Sequence, residues 1–265
     1  MWKEKGKKPI GEFLVWTFAI SWSLLGLIML LEKLHIMPSA MEKVVVMLII
    51  GFGAAMAPAY SLFIVLKKYK KITGVKEFVK RITVCENRKF STLILIGIMA
   101  FQLMRCILTE QSRDYPVYFY LILFPVMIIG GGVEEIGWRG FLQPALAEKR
   151  GFVVGTLLQG VIWAVWHVPL WFIRNANQSQ FHFGAFLLYC IAFSFSLALL
   201  SKVSNCVLYA IFLHAWGNVV LGGMYTFHSL TAMPGVVTYV LFIIEIVICV
   251  LGAYILDRKE DKKII

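Results

Sequence analysis

Eight apolar runs, each near twenty residues long, divide the chain at 13–31, 44–66, 91–108, 117–138, 152–173, 183–200, 204–224 and 236–256. An α-helix rises about 1.5 Å per residue, so about 20 residues cross the hydrocarbon core of a bilayer. No water satisfies backbone polar groups there, and a single run can satisfy them only as a helix. The expected fold is therefore all-α: a polytopic membrane helical bundle of about eight transmembrane helices, in one integral membrane domain over residues 1–265. Composition agrees, with 60% hydrophobic and 15% charged residues, against about half and a quarter in soluble domains. Disorder, collagen, coiled coil and an ordinary cytosolic enzyme are excluded.

The net charge of +11 would suit nucleic acid, but the positive residues sit between the apolar runs, as in cytoplasmic loops of membrane proteins. The reading is a bilayer partner and no nucleic acid. Alternate connections carry 4, 9, 3, 1 and 4 Lys or Arg against 2, 1, 1 and 0, with Arg105 inside a run. This 21-to-4 division puts both termini in the cytoplasm (N-in, C-in). The first run follows Lys3, Lys5, Lys7 and Lys8, and its length reads as a retained span rather than a signal peptide. Residues 75–90 alternate apolar and basic side chains, the pattern of an amphipathic interfacial helix. The five cysteines lack paired spacing and imply neither a disulfide framework nor a Cys-based zinc site.

Ionisable groups inside spans are costly and mark functional positions. They are Arg105, Glu134, Glu135, Arg139, His167, His214 and Glu245, joined by Asn218 one turn past His214. On a helix Glu135 and Arg139 share a face, so Glu135 has a built-in counter-ion. Glu134 points about 100° away without one, as suits a general base. Trp163 and His167 also stand four apart, and Pro169 favours a kink beside the His. His214 and Asn218 repeat the spacing, and neutral His and Asn donors suit a developing oxyanion. Each pair has a bland alternative: a salt bridge at a helix end, a packed histidine, an interhelical hydrogen bond. The three together, in this order on three spans, are much more specific. Gly130, Gly131, Gly132 and Gly137 let backbones approach around them. His35, His182 and His228 fall in external loops and read as solvated, while Glu245 pairs with Arg105 or reaches a wet cavity.

Depth imposes one condition. If the fourth span ended at Trp138, Glu134 would lie about 6 Å from the cytoplasmic face and His167 about 25 Å from it. The two meet only if residues 141–147 are also in the membrane, which raises Glu134 to about 20 Å. That segment must then tilt, or bend near Pro125, the glycines or Pro144.

From about residue 118 to 224 the chain resembles the CAAX-protease and bacteriocin-processing (Abi, or CPBP) intramembrane proteases, of which the type II CAAX prenyl protease is the best-known member. Glu-Glu-x-x-x-Arg is intact as Glu134, Glu135 and Arg139; Trp163 replaces the Phe of Phe-x-x-x-His before His167; His-x-x-x-Asn is intact as His214 and Asn218. The resemblance implies an intramembrane endopeptidase. Glu134 and His167 would activate water, His214 and Asn218 would stabilise the oxyanion, and Glu135, Arg139 and Trp163 would orient the site. Relatives are described both as glutamate proteases and as metalloproteases. Glu134, His167 and His214 could form a zinc set with an open position. Against zinc, there is no His-Glu-x-x-His pattern, and ligation by Glu134 would leave Glu135, paired with Arg139, as the base. The favoured reading is a metal-free enzyme without cofactor. Its protein or peptide substrate would arrive from the membrane or the cytoplasmic side, in a bacterial cell membrane. Intact motifs argue against a non-catalytic immunity or scaffold protein on the same fold, and the lack of inverted repeats argues against a transporter.

Overall fold

The computed structural model describes residues 8–35, 44–46, 48–174 and 176–264, without the side chains of residues 8 and 259–264. Lys3, Lys5 and Lys7 of the basic leader, and Lys43, lie outside the described residues. Among the described residues, seven helical spans are long and apolar enough to cross a membrane, so the chain is an all-α integral membrane bundle. They are α1 (Lys8–Lys33); a span over Val44–Lys68 that contains a π-turn (Ile49–Ala54) and ends as α2 (Ala57–Lys68); then, after the short surface helix α3 (Val75–Thr83), α4 (Arg88–Thr109). The fourth span, Val117–Arg150, contains α5 (Val117–Gly130) and α6 (Gln143–Arg150). The last three contain α7 (Phe152–Trp166), α8 (Phe183–Ser204) and α10 (Val236–Ile264), with α9 (Val207–Val220) between the latter two.

The bundle reverses the burial pattern of a soluble protein. Val117, Leu121, Leu93 and Val236 are mostly exposed on its outer surface, while Glu135 and Arg139 are fully buried within it. Lipid is as apolar as these side chains, so exposing them costs little, whereas the polar groups need partners.

The eighth run forms a shorter helix than expected. The 14 residues of α9 span about 21 Å at 1.5 Å per residue, less than the hydrocarbon core. Ser204 belongs to α8 instead; the chain leaves α9 at Leu221, and Gly222 in the turn that follows has φ +109°, a conformation that glycine tolerates best. The amides of Met224 and Tyr225 donate to the carbonyls of Val219 and Val220 at 2.8 and 2.9 Å and close the turn.

The fourth apolar span extends to Arg150 and so includes residues 141–147. It breaks at the glycines. α5 runs through Pro125 and stops at Gly130; a 3₁₀ turn (Gly132–Glu134), one short helical turn (Glu135–Gly137) and a π-turn (Trp138–Leu142) follow, and Pro144 sits in the first turn of α6. A Cβ on Gly137 would lie 2.5 Å from the carbonyl oxygen of Pro58 in α2, so only glycine lets these backbones meet. The π-turn is fully buried, with Phe13 of α1 edge-on to Trp138 and Phe141 at 5.7 and 5.3 Å, and Trp138 edge-on to Trp166 at 5.6 Å.

Three expectations need correction. The amphipathic segment is not one helix over 75–90: α3 ends at Thr83, and Arg88–Phe90 begin α4. Arg139 is buried beside Glu135 rather than in a solvated turn, so the Lys/Arg division becomes 20 to 4. Cys85 and Cys206 are joined as a disulfide, their Cα atoms 4.7 Å apart, whereas Cys106, Cys190 and Cys249 are free and buried. Maleimide labelling of the unfolded chain is therefore expected to mark three cysteines before reduction and five after it. Five before reduction would refute the bridge.

Candidate active site

Trp163 organises the site. Near the end of α7, it donates its indole N–H to Glu134 Oε2 at 2.9 Å, and its backbone carbonyl lies 2.7 Å from His167 Nδ1. A carbonyl only accepts, so Nδ1 carries the proton and Nε2 of the neutral ring keeps its lone pair. α7 stops beside His167 because Pro169 has no N–H to continue it. The chain tightens into a 3₁₀ turn (Val168–Phe172) where a kinked helix was expected. Trp163, Trp166 and Phe186 meet the His167 ring edge-on, at 5.5, 4.7 and 5.2 Å.

Glu135 joins the first and third motifs. Its Oε1 lies 3.1 Å from Arg139 Nη1 and 2.7 Å from His214 Nδ1, and Arg139 Nη1 is 2.9 Å from Oε2. Arg139 Nη2 donates to Ser194 Oγ at 2.9 Å, and its guanidinium lies 5.0 Å from the centre of the Trp163 ring. All of these groups are buried, where an ionised carboxylate needs a counter-ion and several donors. Ser194 had no sequence signal, since a serine in an apolar run reads as packing.

Asn218 and His214 face the break in the fourth span. A Cβ on Gly131 would lie 2.5 Å from Asn218 Nδ2 and 3.3 Å from His214 Nε2. The structure thus brings Glu134, Glu135, Arg139, Trp163, His167, His214 and Asn218 into one region. Gly131→Ala is expected to fold but to push Asn218 and His214 aside. A misplacement of about 1 Å can cost about a hundredfold in rate, and unchanged turnover would refute this packing role.

One expectation changes. The Glu135 carboxylate accepts from His214 Nδ1, so a neutral His214 has no proton left on Nε2 and cannot donate from it. Donation to an oxyanion requires the imidazolium form, for which Glu135 is the counter-ion in contact. Both imidazoles keep Nε2 for a metal and anchor Nδ1, as metal-bound histidines do. However, no three His, Cys, Asp or Glu side chains are grouped closely enough among the described residues to hold an ion. No step below passes through a metal.

Elsewhere, Glu245 accepts from Ser196 Oγ at 2.6 Å, while the Arg105 guanidinium lies 5.8 and 5.3 Å from the ring centres of Tyr189 and Phe242. No Arg105–Glu245 ion pair forms among the described residues. His35, His182 and His228 are exposed.

Fold and site define a helical membrane protein with buried Glu, His and Arg side chains, and a half-buried Asn218, at the break of one span. Residues 116–220 match the family of type II CAAX prenyl endopeptidases, Rce1-like. CAAX prenyl protease 2 of Methanococcus maripaludis is 34% identical over 70 residues, which are 26% of this chain. The chain spans about a quarter (24%) of the length of that relative in the match. Both findings show that this segment is similar to CAAX prenyl proteases, the family that the motifs resemble.

Proposed function

We propose that the protein is an intramembrane endopeptidase of the glutamate type, working without a metal. The observation that carries this reading is the double use of Trp163, which holds Glu134 by its side chain and His167 by its backbone. Glu134 and the Nε2 lone pair of His167 take the proton of a water as its oxygen attacks the scissile carbonyl. The carbonyl oxygen becomes an oxyanion and receives hydrogen bonds from Asn218 Nδ2 and from His214 as imidazolium. The proton then passes to the departing amine. Glu135, Arg139 and Ser194 hold His214 in place and touch no reacting atom.

The substrate is a membrane protein or peptide precursor, arriving from the bilayer or from the face that the Lys/Arg count assigns to the cytoplasm of a bacterial cell. Both termini lie on that face in this reading. The test compares peptide termini in membranes of cells carrying the wild type or Glu134→Gln. New termini found only with the wild type are expected, and their sequences name the substrate class. Identical termini from two well-expressed, folded proteins would overturn the protease reading in favour of a non-catalytic scaffold or immunity role.

A further inference from the structure

A cavity of about 430 Å³ lies under α3, apart from the motif residues. Its lining combines Leu62, Ile82, Val84 and Gly140 with the polar Glu77, Lys80, Arg81 and Asn205. Its position follows from the chain: α2 ends at Lys68 and α4 begins at Arg88, so the segment between them lies where spans end and lipid headgroups begin. Residues 67–89 hold nine Lys or Arg against two Glu. α3 buries no side chain, leaves Val75 and Val79 exposed, and is tied down by Phe78 edge-on to Phe63 at 5.5 Å.

The one acidic group of the lining is already engaged. Glu77 receives Arg81 Nη2 at 2.7 Å and the Thr73 amide at 2.9 Å. The bonds from Arg81 first, and then from Thr73, hold its carboxyl below the usual carboxylate range. Glu77 and Arg81 cancel, and Lys80, which makes no ion pair among the described residues, leaves the lining with one net positive charge.

We propose that this cavity binds an anionic phospholipid, with its phosphate on Lys80 and an acyl chain along Leu62, Ile82 and Val84 towards Gly140. An apolar wall beside a cation at headgroup level matches both halves of such a lipid. Gly140 follows Arg139, so the bound chain rests against the π-turn that carries Arg139, the partner of Glu135. The inference does not depend on the proteolytic reading.

The full-length protein is reconstituted in phosphatidylcholine vesicles with or without phosphatidylglycerol, extracted gently, and its retained lipid counted by native mass spectrometry. The wild type should retain phosphatidylglycerol. Lys80→Gln should retain about fivefold less, the effect of one basic residue at a membrane surface, with phosphatidylcholine unchanged. Val84→Trp, which fills the apolar arm without changing charge, should also lose it. Thermal unfolding in phosphatidylcholine checks that both variants fold. Equal retention by all three proteins overturns the proposal, as does displacement of the lipid by inorganic phosphate alone. Equal loss of both lipids in Lys80→Gln refutes the headgroup contact.

Discussion

Glu134→Gln is expected to lower proteolytic turnover by about three orders of magnitude, within the range that general-base catalysis contributes, with no fall in thermal stability. Gln has nearly the shape of Glu, and its amide oxygen can still accept the Trp163 indole N–H that now reaches Oε2 at 2.9 Å. Glu134 is buried and stands one residue from the Glu135–Arg139–His214 network, so this substitution leaves that network whole. What it removes is the negative charge that takes the proton from water. Single-turnover cleavage in proteoliposomes, with a substrate recovered from the comparison of termini, measures the loss directly. His167→Ala is expected to cost a similar factor, and the double variant little more, because the two residues act on one water. Additive losses would mean that they serve separate steps. Full activity in Glu134→Gln would sink the mechanism.

The architecture was largely legible because lipid leaves a long apolar run few choices: it must be a helix. What a run cannot report is where its helix stops inside the protein. α9 stops at Val220 and the chain turns back at Gly222, and run 204–224 contains nothing that separates a crossing helix from one held by its neighbours. The break in the fourth span had three candidate places. Pro125 removes one hydrogen bond without ending α5, whereas Gly131 and Gly137 lie where other elements pass too close for a Cβ. Such approach is a tertiary fact. The same division runs through the site. Spacing of four residues identified Glu135 with Arg139, Trp163 with His167, and His214 with Asn218. It could not supply the links between motifs. The indole N–H on Glu134, the Glu135 contact that fixes the His214 tautomer, and the Ser194 hydroxyl on Arg139 each join residues at least 29 positions apart. The Cys85–Cys206 bridge was missed for the same reason, with 121 residues between its ends.

Those long-range links make Arg139→Met the largest expected loss of stability, about 3–5 kcal/mol, as found on breaking one side of a buried ion pair. Met resembles Arg in volume, so the loss comes from charge and not from a cavity. Glu135 would remain fully buried with only His214 within hydrogen-bond reach on that side, and Ser194 Oγ would lose the donor that now lies at 2.9 Å. Glu135→Gln in the wild-type background should also destabilise, since it leaves Arg139 charged without its counter-ion. The double variant Glu135→Gln/Arg139→Met removes both charges. It should recover much of the stability lost by either single change, giving a coupling of about 0.5–3 kcal/mol in the range seen for residues in contact. Reversible unfolding in mixed micelles, followed through tryptophan fluorescence, measures all four proteins. Catalysis should not recover with stability, because His214 would still lack the carboxylate that balances its imidazolium form. A double variant as unstable as the sum of the single ones would show that the pair does not act as a unit. Recovery of turnover along with stability would remove Glu135 and Arg139 from the positioning of His214.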